Sequence, residues 1–115
     1  MKMKSKTQIK LFLQEAKRIV RKNGFILVPR AATERFMAEW GIDVEAVEGI
    51  ILALSPEDCF DGPEPDRDAR YAQQWTVAEF APEHPRGRLY LKISISMRVD
   101  RCKCLSVKLY SEESK

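Results

Sequence analysis

Residues 88–98 read RLYLKISISMR, an alternation of polar and apolar side chains. Because successive side chains of a β-strand point to opposite faces of the sheet, this period of two predicts a strand with one apolar and one polar face. A second alternating run covers residues 105–110. The apolar face must be covered by other parts of the fold. The polar face carries tyrosine and lysine side chains from both runs: Tyr90, Lys92, Lys108 and Tyr110.

The segments before these strands have helical patterns. Residues 6–22 place apolar side chains at helical spacing with basic residues opposite, and residues 31–40 and 43–54 also predict helices. Helices followed by consecutive strands with short links favour an α+β domain. We therefore predict a single domain over residues 1–115. Its N-terminal helices pack on one face of a small antiparallel sheet, which residues 73–110 form as a meander.

Between the helices and the strands lies an acidic segment, residues 56–70, that is also rich in proline and glycine. Its composition predicts a long loop, opening with one helical turn, and loops of this length are often functional or mobile. Its carboxylates are expected to lie in solvent, with a magnesium site as the weaker alternative. Residues 73–80 predict the next strand, which contains Trp75.

Charge and cysteine content limit the kind of site to expect. The net charge is +3, yet nine lysines and arginines lie in residues 1–30. Such a basic helix either steers an anionic partner or simply lies in solvent. Cys59, Cys102 and Cys104 have only His84 as a further soft ligand, so we expect reduced thiols without metal. No stretch suits a signal peptide or a membrane span, which predicts a cytoplasmic protein without a membrane partner.

The polar face suits RNA cleavage that uses neither a metal nor another cofactor. Common nucleotide-binding and nucleophile motifs are missing from the sequence. An RNA strand can be cut by its own 2′-hydroxyl, which requires a proton acceptor, a proton donor and positive charge at the phosphorane. The candidates are two tyrosines for the protons, two lysines for the charge and two arginines for RNA-phosphate contacts: Tyr90 and Tyr110, Lys92 and Lys108, Arg88 and Arg98. An ordinary solvated sheet face is the plainer interpretation.

An ordered set of segments resembles the MqsR family of bacterial toxins, which are RelE-like mRNA interferases. The set consists of Trp40-Gly41-Ile42-Asp43, the run GIILALSPED at residues 49–58, the acidic loop at residues 62–68, Trp75, and Tyr90-Leu91-Lys92-Ile93. The similarity covers roughly residues 25–110. This resemblance implies a RelE-like fold, endoribonuclease activity on mRNA that is free or on the ribosome, and a cognate antitoxin as partner.

The chain departs from the family pattern at several catalytic positions. The family's lysine after the acidic turn corresponds to Asp61 or Gly62 here, and its glutamine after the tryptophan corresponds to Thr76. The last strand ends in Lys108-Leu109-Tyr110. Two other functions therefore stay open. One is a non-catalytic RNA- or protein-binding module of the same fold, and the other is an interaction protein whose basic first helix binds an acidic partner.

Overall fold

A computed structural model describes residues 5–111. Three α-helices lead the described chain: α1 Lys6–Asn23, α2 Ala31–Trp40 and α3 Val44–Ala53. A 3₁₀ turn at Pro56–Asp58 follows α3. The strands are β1 Ile26–Leu27, β2 Cys59–Pro65, β3 Thr76–Phe80, β4 Glu83–His84, β5 Gly87–Ser96 and β6 Arg101–Leu109. The predicted α+β class is confirmed, with the N-terminal helices packed against the sheet.

Two of the three helices, α1 and α3, begin at capping side chains. Ser5 and Gln8 form a reciprocal capping box at the start of α1, which satisfies backbone N–H groups that have no partner within the helix. The carboxylate of Asp43 accepts a hydrogen bond from the backbone N–H of Ala46 at 2.8 Å and begins α3 as predicted. α1 and α2 pack against the sheet, and α3 packs against α1. α1 buries six side chains: Ile9, Phe12, Leu13, Ala16, Ile19 and Val20.

The sheet has the strand order β1-β6-β5-β3-β2, with β4 paired to β5 outside this path. The strands β3, β5 and β6 are antiparallel neighbours, which confirms the predicted meander. The sheet as a whole is mixed rather than antiparallel, because β1 lies parallel to β6. The predicted register of β5 is confirmed, since Leu91 is 0% and Ile93 is 1% exposed in the core.

The acidic loop predicted for residues 56–70 is only partly correct. The opening helical turn is present, but Cys59–Pro65 forms β2, an edge strand paired antiparallel to β3. An edge position explains how a segment containing two prolines joins a sheet, because one side of an edge strand carries no ladder hydrogen bonds. Two register shifts interrupt the pairing of β2 with β3. The true loop is therefore shorter and joins the ends of this hairpin.

The predicted alternation of residues 105–110 is interrupted by a bulge. Lys92 pairs with Ser106, but the next residue, Ile93, pairs with Cys104, so Leu105 is an extra residue on β6. The bulge switches which residues of β6 face the core. Cys102, Cys104 and Val107 are all 0% exposed, whereas Leu109 is 50% exposed and Leu105 is half-buried. The prediction that Leu105 lies in the core is wrong for this reason. Leu109 stays on the core side of the sheet opposite Leu89, but it is exposed because it is the last residue of β6.

Candidate functional site

The candidate site lies on the face of the sheet turned away from the core, which we call the polar face. It carries side chains from three neighbouring strands: Val77 and Glu79 of β3, Tyr90, Lys92, Ser94 and Ser96 of β5, and Lys103, Ser106 and Lys108 of β6. This face is less open than its sequence suggests. Val77, Tyr90, Ser94 and Ser96 are all buried, so other parts of the chain cover much of it.

Tyr90 is buried at the end of the polar face where its ladder partner Lys108 lies. Only 6% of it is exposed, and its hydroxyl donates a hydrogen bond to the Glu79 carboxylate. Burial, with the adjacent Glu79 charge, raises the pKa of the Tyr90 hydroxyl well above its usual range. The prediction of a solvent-facing Tyr90 is therefore wrong. Its hydroxyl is directed at Glu79 rather than at solvent.

Glu79 and Lys92 are partners across the β3–β5 ladder, and Asp61 is the partner of Glu79 on β2. Burial raises the pKa of Glu79 above its ordinary value, and the neighbouring Asp61 adds to this effect. The hydrogen bond from Tyr90 and the charge of Lys92 act in the opposite direction. A carboxyl group whose pKa moves towards neutrality, beside a cation, is a suitable general acid or base.

Sequence analysis did not identify Glu79. The alternation within Thr76–Phe80 places it on one face with Val77, which is the available signal. Nothing in that segment indicates that the face is shared with Lys92, since the pairing joins strands separated by the β4 turn. A small recess of about 50 Å³ lies beside the two residues, and its rim carries further carboxylates and one guanidinium group: Asp61, Glu64, Asp66 and Arg67.

Lys108 and Tyr110 lie beside Tyr90, as the sequence predicts. Lys108 is the ladder partner of Tyr90, and its Nζ lies 4.8 Å from the centre of the Tyr90 ring. Phe60 of β2 completes this group, with its ring 5.8 Å from that of Tyr90 and 5.4 Å from that of Tyr110. Lys108 is exposed and Tyr110 is half-buried. Cationic and aromatic side chains thus share one end of the polar face.

The two predicted RNA-phosphate contacts lie far apart. Arg88 is the second residue of β5 and lies two residues before Tyr90. The backbone N–H of Tyr110 donates to the carbonyl oxygen of Arg88 at 2.9 Å. Its guanidinium group forms an ion pair with Glu83 at 3.5 Å. Arg98 lies in the turn between β5 and β6, roughly 25 Å from Tyr90 at the usual rise per strand residue. The structure therefore places Arg88 beside the site and Arg98 away from it.

The basic side of α1 is partly neutralised within the chain. Arg18 forms ion pairs with Glu15 and Asp100, both at 2.8 Å, and Lys22 lies 3.4 Å from Asp100. The hydrogen bond from Arg18 to Asp100 lowers the pKa of the Asp100 carboxyl below its usual range. These contacts hold α1 against the β5–β6 turn. They leave fewer free cations on α1 than the sequence suggests for binding an acidic partner.

The three cysteines are free thiols in the core. Burial raises the pKa of Cys59 to about 11 and the pKa of Cys102 and Cys104 to about 12. Within residues 5–111, no group of three or more histidine, cysteine, aspartate or glutamate side chains is arranged to hold a metal ion.

We expect all three thiols to resist alkylation in the folded protein, because the reactive thiolate is scarce and buried. Iodoacetamide at pH 8 should modify them slowly in buffer and rapidly in denaturant, as counted by mass spectrometry. Rapid labelling of any one cysteine under native conditions would contradict its placement in the core.

The raised pKa of Glu79 predicts how stability depends on pH. The contribution of this group is fully present below the ordinary glutamate pKa and is lost as pH rises through the raised folded-state pKa, because burial disfavours the charged form. Glu79→Gln keeps an oxygen that accepts the Tyr90 hydrogen bond but never ionises. The free energy of unfolding of the variant, relative to the parent, should therefore increase from pH 4.5 to pH 7.5 in urea titrations. An unchanged difference would argue against a buried, ionising Glu79.

No protein-family model matches this chain, and no curated protein matches it either. Among residues 5–111, no helix has the length and apolar character needed to cross a membrane.

Proposed function

We propose that this protein is the toxin of a toxin–antitoxin pair, a cytoplasmic endoribonuclease that cleaves mRNA without a metal. The resemblance to the MqsR family motivates the proposal. The observation that carries it is the pairing of Lys92 with Glu79, a carboxyl group of raised pKa, on a face that also presents Lys108 and Tyr110. An acid–base group and positive charge are the two requirements for cleavage by the 2′-hydroxyl.

In the proposed reaction, the Glu79 carboxylate takes the proton of the 2′-hydroxyl, and the 2′-oxygen forms a bond to the adjacent phosphorus. Lys92 and Lys108 stabilise the charge that develops on the phosphorane oxygens. The bond from phosphorus to the 5′-oxygen breaks, and Tyr110 donates a proton to that leaving oxygen. The products are a 2′,3′-cyclic phosphate and a 5′-hydroxyl. Tyr90 positions Glu79 through its hydrogen bond.

The expected substrate is single-stranded RNA. The Phe60 and Tyr110 rings lie 5.4 Å apart at the Lys108 end of the polar face. Aromatic rings beside lysines are typical of surfaces that stack unpaired bases and hold the backbone between them. DNA lacks the 2′-hydroxyl nucleophile, so it should bind without being cut.

The direct test is incubation of the purified protein with a labelled single-stranded RNA and the matching DNA in the presence of EDTA. We expect cleavage of RNA alone, with cyclic phosphate ends. Tyr110→Phe keeps the ring and removes the proton, so it should bind RNA but cut it more slowly. In cells, induced expression should arrest growth, generate new mRNA ends and be relieved by the cognate antitoxin. Uncut RNA together with unaffected growth would refute the proposal.

The second candidate is an RNA-binding module that does not cleave its target. It is favoured by the hydroxyl of Tyr90, which is occupied by Glu79, and by the carboxylates Asp61, Glu64 and Asp66, which would keep a scissile phosphate away from Glu79 while RNA binds at the Lys108 end of the face. Binding of RNA by the same face, with intact RNA after long incubation, would support this candidate over the nuclease.

A further inference from the structure

We propose that the polar face contains a second RNA-contact site, formed by Trp75, Lys103 and Ser94, and that residues 67–74 cover it until a single strand displaces them. The inference rests on the proposed RNA binding and adds to it an extension of the binding surface and a means of regulating access. Lys103 and Ser94 are ladder partners on β6 and β5. Ser94 lies two residues from Lys92 on the same face, so the two sites are continuous.

The covered site contains a cation and an aromatic ring in contact. The Nζ of Lys103 lies 3.9 Å from the centre of the Trp75 ring and 5.2 Å from the centre of the Tyr71 ring. The guanidinium carbon of Arg70 lies 5.3 Å from the centre of the same Tyr71 ring. Tyr71 thus occupies a position on Lys103 that a nucleobase would take when RNA stacks on a platform of lysine and tryptophan.

Ser94 supplies an independent sign that a ligand group is missing. It is 1% exposed, and its Oγ is the buried side-chain oxygen that lacks a hydrogen-bond partner among the described residues. A buried hydroxyl without a partner destabilises the arrangement that buries it, and such groups usually find one. Val77, its ladder partner on β3, is 8% exposed. An RNA phosphate or 2′-hydroxyl that replaced the cover would give Ser94 a partner.

Residues 67–74 are built to move as one unit. The ladder of the β2–β3 hairpin continues to the base of this loop, where the backbone N–H of Asp66 donates to the carbonyl oxygen of Trp75 at 3.0 Å. Inside the loop, Tyr71 donates to Asp68 at 2.9 Å and Gln74 donates to Tyr71 at 3.0 Å. The Arg70–Asp68 ion pair at 2.7 Å is also internal. Two further hydrogen bonds join the loop to the hairpin, from the backbone N–H of Trp75 to the Tyr71 carbonyl oxygen and from the backbone N–H of Asp68 to the Asp66 carboxylate, both at 2.8 Å. Displacement of the loop must break the bond from Trp75 but can leave the internal bonds in place.

The test replaces residues 67–74 with Asn-Gly, a two-residue turn that closes an antiparallel hairpin at its last ladder pair. The probe is a fluorescein-labelled oligouridine with 2′-O-methyl groups, which lacks the nucleophile and stays intact. We expect the shortened protein to bind about tenfold more tightly than the full chain. The dependence of log affinity on log salt should steepen by about 0.7, the increment for one further phosphate contact with a single strand.

Lys103→Ala separates this site from the rest of the face. In the shortened protein it should remove the gain in affinity and the steeper salt dependence, while in the full chain it should change little. Hydrogen exchange of the unmodified protein provides a readout that does not depend on the shortened variant folding. Addition of the oligouridine should speed exchange of the Trp75 amide, because its hydrogen bond to the Tyr71 carbonyl oxygen at 2.8 Å breaks when the loop is displaced. Tyr71→Ala in the full chain should also tighten binding of the oligouridine, as shortening the loop does.

Equal affinities and salt slopes for the two proteins, or unchanged or slower exchange of the Trp75 amide with the oligouridine, would overturn the inference. Lys92→Ala shows which proposal has failed. If it weakens binding by both proteins while loop shortening has no effect, the RNA-binding face stands and the covered site does not. If neither protein binds the oligouridine, the proposed function fails and the covered site fails with it.

Discussion

Lys92→Ala and Glu79→Gln should each slow RNA cleavage by about 100-fold or more, because each removes a group that acts in the transition state. The two residues are ladder partners on the polar face, and Glu79 is held by the Tyr90 hydroxyl. Single-turnover rates on a labelled RNA measure the effect. In the parent, the rate should also fall as pH drops through the raised pKa of Glu79, because the base must be a carboxylate.

Matched controls separate this catalytic effect from a general loss of charge or structure. Glu39→Gln and Lys10→Ala change the same residue types at exposed positions on α2 and α1. They should leave the rate unchanged. Lys92 is half-buried on the sheet, and Lys92→Ala is expected to alter the free energy of unfolding by about 0.5 kcal/mol or less. Parent-like rates in both Lys92→Ala and Glu79→Gln would remove this pair from the mechanism.

Gly62→Ala should destabilise the protein by about 3 kcal/mol, combining backbone strain with a steric overlap. Gly62 has a φ of 83°, a backbone conformation that residues other than glycine rarely adopt. A Cβ at this position would lie 2.6 Å from the carbonyl oxygen of Val77 and 3.1 Å from the Cα of Ala78. Both atoms belong to the backbone of β3, so relief would require β2 to move away from its neighbour. Urea titration of the variant measures the loss.

Gly49→Ala is the control for this substitution. Gly49 lies within α3, and a Cβ there would meet nothing within 4 Å. Alanine is the better helix former by about 1 kcal/mol, so this variant should be as stable as the parent or more stable. Because β2 carries Asp61 and Phe60, Gly62→Ala should also disturb the candidate site. Equal stability of the two variants would show that β2 does not pack on β3 as described.

Local patterns were sufficient to predict the helices and the central strand. The stripe in α1, the cap at Asp43 and the alternation around Leu91 all arise from residues a few positions apart. Helical and strand periods act over that range, so the sequence predicts these elements directly. The same reasoning correctly placed Lys92 and Lys108 on one face. It failed at Leu105 because a bulge is determined by the partner strand.

The sequence by itself determined the α+β class, the helices and the apolar and polar faces of β5. Only the tertiary structure decided the chemistry of the polar face. The pairing of Glu79 with Lys92, the burial of Tyr90 and the contact of Trp75 with Lys103 each join different strands. Such contacts depend on strand order and register across the sheet, which are set by how all the elements pack together. Periodicity within one segment carries no information about its partner strand, and for that reason Glu79 and Lys92 become neighbours only on folding.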